Sequence, residues 1–283
     1  MTAYTPIKTP SLQRRPAVQR SARLPDQITL QHGPRDALGR FFLVADKAAR
    51  DRGVTLTLSS DFELLREVNA RNQGSWHGLA PSFDCAYGGI DRECGFWIIG
   101  RDDTGEIVTT QAARYFDTGE ATLKDYLTSL KLFYPRPEEQ KRPGEHCIVE
   151  TASAAQVRGR IVYSGGTWIH PDYRKRLMPM ILPRISRALA LTRWDSDFTF
   201  SMVSHALVSK GVATAYGYRN IEPGIRWMNS ETELRLDGTL VWMDRAEQLA
   251  DMARFDDLLE TAEDRRVPAA MATTQDIAAQ RRN

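Results

Sequence analysis

The sequence predicts an α/β fold, in the α+β sense of helices covering a mixed sheet. Three observations carry this. Apolar residues at helical spacing alternate along the chain with short runs of β-branched and aromatic residues. A turn signal between two apolar runs near the middle marks a hairpin. The 283 residues, 42% hydrophobic and 26% charged, match an ordinary globular protein long enough to bury a core.

The elements follow in order. Residues 1–27 carry Lys8, Arg14, Arg15, Arg20 and Arg23 among interrupting prolines, and are expected to be a basic disordered tail. From Asp36 to Asp51, Leu38, Phe41, Phe42, Val44 and Ala45 share a helical face, with Gly53 as a stop. Val54 to Leu58 alternates as a strand. Ser60 or Asp61 caps a second helix, Phe62 to Arg71. After a loop, Gly95–Gly100 and Glu106–Phe116 form the hairpin across Arg101-Asp102-Asp103-Thr104-Gly105. Thr122 to Phe133 is predicted helical and Tyr134 to Gly144 a charged loop. In the second half Arg160–His170 is a strand, Met180–Arg193 a helix, Phe198–Val203 a strand and His205–Tyr216 a helix. Ile225–Met228 and Thr239–Met243 are predicted strands, and Ala246–Leu259 a closing helix. The domain is expected over residues 28–263, with an N-terminal helical extension, and residues 264–283 read as a second tail.

Several function classes find no support. Thirty-eight basic against 36 acidic residues give a formal charge of +2, too balanced to argue for nucleic acid. Runs such as Phe96-Trp97-Ile98-Ile99 are far shorter than the roughly 20 residues a membrane span needs. Cys85, Cys94 and Cys147 form no CxxC pair, so neither a disulfide framework nor a metal site is expected, and a reducing cytoplasmic setting follows. HExxH, GxSxG, Walker and GxGxxG patterns are absent from the sequence.

The most specific stretch runs from Gly165 through Trp168-Ile169-His170-Pro171-Asp172-Tyr173-Arg174-Lys175-Arg176 into a helix. It presents a helix N-terminus at the end of a strand, where unpaired amides and the positive end of the dipole suit an anion. Some forty residues on, a strand leads into a helix closing with Tyr216-Gly217-Tyr218-Arg219-Asn220. Over roughly Ser59 to Met243, this order resembles the GNAT superfamily of N-acetyltransferases. The resemblance implies a mixed, mostly antiparallel central sheet flanked by helices, with acetyl-CoA or another acyl-CoA as co-substrate and no metal. It also implies donor contacts from Trp168, Ile169, His170, Arg174, Lys175, Arg176, Leu177 and Met178.

Three positions depart from the family pattern. Leu177 and Pro179 stand where its pyrophosphate loop has small residues, and proline offers no N–H. Ala213 stands where a tyrosine would protonate the leaving thiolate, so Tyr216 becomes the candidate acid. His205, opening the same helix, is a candidate base toward an amine, and Glu150 a further one by family analogy. Trp76, His77, Phe83, Tyr87 and Trp97 would line an acceptor pocket or simply pack. The expected activity is direct acyl transfer to a small-molecule or peptide amine. Two alternatives stay open: an acyl carrier protein as donor, and a GNAT-like binding module without turnover. A homodimer is compatible with the sequence; a membrane partner is not expected.

Overall fold

The computed structural model describes residues 22–230 and 236–264. One eight-stranded sheet, in the order β1-β2-β3-β5-β6-β8-β7-β4, organises them. The strands are β1 (Thr55–Ser59), β2 (Gly95–Arg101), β3 (Ile107–Thr122), β4 (His146–Val149), β5 (Arg158–Ile169), β6 (Phe198–Ser204), β7 (Asn220–Met228) and β8 (Leu236–Asp244). Neighbours run antiparallel except β5 and β6, which are parallel. The helices are α1 (Arg35–Arg50), α2 (Phe62–Arg71), α3 (Leu123–Thr128), α4 (Pro137–Gln140), α5 (Met178–Trp194), α6 (His205–Ser209), α7 (Val212–Ala215), α8 (Arg245–Ala253) and α9 (Phe255–Asp264). This is the mixed, mostly antiparallel sheet flanked by helices that the resemblance implies.

Both faces of the sheet are covered, which explains why β2 is apolar without alternation. Phe96 and Ile98 enter a core with α1, α5, α8 and α9, while Trp97 and Ile99 enter a second core with α2 and α3. The stripe on α1 packs as its spacing predicts, with Leu38, Phe41, Phe42 and Ala45 buried. Asp61 caps α2 by accepting from the Leu64 N–H at 3.0 Å.

Several elements differ from the sequence reading. The fold starts before residue 28: Leu24 is fully buried, and Arg23 just ahead of it pairs with buried Asp46. The remainder of the basic tail, and the C-terminal tail after Asp264, lie outside the described residues. The helix expected to reach Phe133 stops at Thr128. There the hydroxyls of Thr128 and Ser129 take the carbonyls of Lys124 (2.9 Å) and Asp125 (2.6 Å), and Leu130 turns to a φ of +62°. The helix expected over 205–216 breaks at Gly211, whose φ is +75°. Strand β4 was not anticipated; it pairs with β7 at the sheet edge.

Candidate active site

The parallel pair at the centre of the sheet is joined over only three residues. Ile161, Val162 and Tyr163 pair with Phe198, Thr199 and Phe200, and no pairing continues beyond them. The rings of Tyr163 and Phe200 stack 5.2 Å apart at that point. From there β5 stays with β3 and β6 with β8, so a V-shaped cleft opens between Ser164–Ile169 and Ser201–Ser204. Charge holds the closed end. Arg160 on β5 meets Asp195 at 2.6 Å and Asp197 at 2.9 Å in the turn before β6, and Arg245 also reaches Asp195. Those hydrogen bonds raise Arg160 above its ordinary value.

On the open edge, the His170 N–H donates to Val108 on the β3 side at 2.8 Å. By strand alternation, the N–H and C=O of Ile169 face the cleft. Trp168 instead points into the α2-side core, where it stacks on Trp76 at 5.6 Å and its Nε1 donates to Ser75. His170 caps the turn Pro171–Tyr173 by accepting from the Asp172 N–H, so its ring is occupied locally.

The turn into α5 has an unusual backbone. Lys175 (φ +68°) and Leu177 (φ +59°) both adopt the left-handed conformation that glycine takes without strain. Leucine thus stands at φ +59° where the resemblance calls for a small residue. The N–H groups of Lys175, Leu177 and Met178 have no main-chain partner among the described residues, while that of Met180 is turned back to Leu177 (2.9 Å). Pro179 supplies none. The Met178 side chain is fully buried in the α5-side core. The three basic residues diverge. Arg174 donates to the cleft-facing carbonyl of Ile169 and to Ser75, each at 3.3 Å. Lys175 is exposed in the turn. Arg176 stacks on Tyr173 (4.1 Å), donates to Arg52, and lines a hollow of about 800 Å³ shared with Val68, Arg101 and Asp102.

Tyr216 follows α7, and its phenol lies near Thr167 on β5, at the opened flank of the cleft. Burial pushes this phenol up to about 12. At neutral pH the group is a proton donor and not a base. Thr167 donates at 2.7 Å to Gln111 on β3, whose amide nitrogen contacts Ser164 Oγ (3.0 Å) and the carbonyls of Gly165 (3.1 Å) and Ala112 (3.2 Å). A register shift opposite Gln111 gives β5 one extra residue near Gly166 (φ +57°), a bulge that lets Thr167 turn toward it.

A second buried cluster holds the segment before Tyr216. Arg184 donates to the carbonyl of Ala215 (3.0 Å) and, with Arg187, pairs with Asp251 on α8. Burial holds the Arg184 guanidinium below its ordinary value. Gln111, Thr167 and Arg184 were missed by sequence reasoning. The available signals were a large amide among the small side chains of the Val108–Ala113 run, and arginines spaced i, i+3 in an apolar helix.

The other candidates separate. His205 is exposed at the first position of α6, at the mouth of the cleft. Glu150 is not at the cleft: it follows the edge strand β4, with β7 and β8 between it and β6, and pairs with Arg226 at 2.8 Å. The family analogy failed there because the strand preceding the cofactor segment in sequence pairs at the far edge of the sheet. Phe83 and Trp97 are buried core; Phe83 packs on Tyr163, and the Trp97 indole donates to Asp61. Among the described residues no group of His, Cys, Asp and Glu could hold a metal ion, and no helix is long and apolar enough to cross a membrane.

No protein-family model matches the sequence, and no curated protein matches it. Among solved structures the chain is similar to Mycobacterium smegmatis RimJ in complex with CoA-disulfide, at 12% identity and a TM-score of 0.42, covering 72% of this chain and 88% of that one. It is also similar to Arabidopsis thaliana NAA60 in complex with acetyl-CoA, at 12% identity and 0.40, covering 68% and 99%. A third likeness is to AAC(6')-Ib in complex with ribostamycin and coenzyme A, at 14% identity and 0.37, covering 69% and 95%.

Proposed function

We propose that this protein is an acyl-CoA-dependent N-acyltransferase that moves the acyl group directly to an amine. The observation that carries the reading is the splay of β5 from β6 beyond Tyr163 and Phe200, with a proton-holding phenol at one side and free loop amides at its mouth. A pantetheine arm entering the V would hydrogen-bond along the cleft-facing edge of β5, and the Lys175, Leu177 and Met178 amides would meet its phosphates.

In the reaction the neutral amine attacks the thioester carbonyl, and the N–H groups on the open edge of β5 stabilise the oxyanion. The C–S bond then breaks, the thiolate takes the Tyr216 proton, and the phenolate recovers the proton that the new amide nitrogen releases through solvent. Exposed His205 would relay that proton. Calorimetric titration with acetyl-CoA, followed by turnover against an amine panel, tests the reading. Micromolar binding and turnover lowered about 10²-fold in Tyr216→Phe are expected. Absence of binding at millimolar acetyl-CoA would overturn it.

One observation favours a donor that lacks the diphosphate. Pro179 has no N–H and Arg176 is turned toward Arg52, so few groups remain for a pyrophosphate. An acyl group on the phosphopantetheine of a carrier protein needs none of them. Turnover with carrier-bound but not CoA-bound acyl groups would select this second reading.

A further inference from the structure

The four residues ahead of Tyr216 form α7, too short a helix to hold its own position in water, so the place of the phenol is set by what its flanking residues touch. Arg184 on α5 touches both flanks. Its Nη1 donates to the carbonyl of Ala215 at 3.0 Å, and the Tyr216 N–H donates to Val212 at 2.9 Å. These two groups belong to one planar peptide unit that ends at the Cα of Tyr216, so the plane is pinned at both edges. Beyond it, Gly217 passes so close to the same guanidinium that a Cβ would lie 2.6 Å from Nη2. The Arg184 side chain also runs back along α5, where Nη1 donates to the Met180 carbonyl at 2.8 Å. One nitrogen thereby joins the first turn of α5, the end whose amides would meet the donor's phosphates, to the peptide in front of the candidate acid.

Arg184 is 2% exposed, and Asp251 fixes it from α8, with Oδ1 3.0 Å from Nη2 and Oδ2 2.9 Å from Nε. Arg187 shares that carboxylate at 2.8 Å and lies over the Tyr218 ring at 5.1 Å; among the described residues its guanidinium donates to no carbonyl. Burying such a cluster costs desolvation that well-packed apolar side chains would avoid, so what it supplies is geometry more than stability.

We propose that Arg184, held by Asp251, is a positioning residue for Tyr216: it ties the peptide ahead of Tyr216 to the first turn of α5, and so registers the phenol against a donor anchored there. The inference deepens the acyl-transfer reading, on which its functional consequence rests. The phenol protonates a leaving thiolate only where the sulfur stands, and the sulfur's place follows from the anchored end of the donor.

The test sets Arg184→Met beside Arg187→Met. Each removes one buried guanidinium and leaves the other paired with Asp251, while only the first releases the Ala215 carbonyl. Fluorotyrosine at position 216, followed by fluorine NMR, reads the phenol's place without any substrate. Its resonance should move or broaden more with Arg184→Met than with Arg187→Met. In turnover, Arg184→Met should lower kcat about tenfold with KM for the amine little changed, because a misplaced acid acts on the transition state. In a Tyr216→Phe background the same change should cost less than about twofold. Arg184→Lys and Arg187→Lys, which keep a charge beside Asp251 without the planar fork, replace either Met variant that does not fold, with the same expectations. A kcat loss of equal size in both backgrounds, or a resonance moved as far by the Arg187 variant, overturns the proposal; a merely structural role predicts those results. A resonance moved selectively by Arg184→Met without turnover on any acyl donor would leave the positioning intact and remove the transferase reading. Turnover that depends on Tyr216, with a resonance indifferent to Arg184, would do the reverse.

Discussion

Gly217→Ala is expected to be among the costliest single-methyl additions in the molecule. Gly217 has a φ of +94°, and a Cβ there would lie 2.6 Å from Arg184 Nη2 and 2.8 Å from Asp251 Oδ2. Both side chains are at least 95% buried, so neither can swing into solvent to make room. The backbone strain of a non-glycine residue at such a φ costs about 1–3 kcal/mol. Prising apart a buried ion pair approaches the 3–5 kcal/mol seen when one partner is removed, and a displacement should cost roughly half of that. The sum is about 3–5 kcal/mol. Gly105 provides the control, because its φ is +92° and nothing lies within 4 Å of its would-be Cβ. Gly105→Ala should therefore show the strain alone, about 1 kcal/mol. Urea unfolding of both variants against the wild type measures the difference. A gap below about 1 kcal/mol between the two would refute the account of Gly217 as the residue that admits the Arg184–Asp251 pair.

Other outcomes follow from the same geometry. Pro179→Ala restores an N–H in the first turn of α5 and should tighten coenzyme A binding by about 1–2 kcal/mol, roughly tenfold, in calorimetric titration. Leu177→Gly relieves left-handed strain while adding backbone entropy in the unfolded chain, so unfolding experiments should find stability within about 1 kcal/mol of wild type. Arg160→Met should move acid unfolding to higher pH. The Arg245 and Arg160 guanidiniums hold the Asp195 carboxyl below its ordinary 3.8; burial pushes Asp197 up, but its Arg160 hydrogen bonds prevail and leave it low as well. A depressed carboxyl contributes stability above its unfolded value, lost as pH falls through the lower folded one. Removing Arg160 therefore brings that loss nearer to pH 4, and circular dichroism between pH 2 and 5 reads the shift.

Elements whose apolar residues repeat with one period were legible in the sequence, and those decided by backbone conformation or distant pairing were not. Phe62–Arg71, with its Asp61 cap, is the same helix in sequence and structure because stripe and cap are local. The end of α3 coincides with Leu130 in the left-handed conformation, which periodicity does not register. Strand β4 has four residues and a partner across the sheet, so nothing nearby announces it. At the cleft, the loop of Arg174–Met178 was visible as a basic helix entry. The divergence of its three cations was not, since it depends on Arg52, Tyr173 and Ser75. Glu150 fell to the same cause as β4, and Gln111 and Thr167 become partners only through the β5 bulge.

The pairing of β4 also bears on when the protein can be finished. Lying between β3 and β5 in the chain, β4 nevertheless docks on β7, so that Val149 waits for Ile225. During synthesis its amides and the apolar side of Cys147 and Val149 stay without their final neighbours until most of the polypeptide has emerged. The last stretch of edge to close should therefore belong to an early piece of sequence, and ribosome-bound chains ending before β7 should expose it to proteases and chaperones.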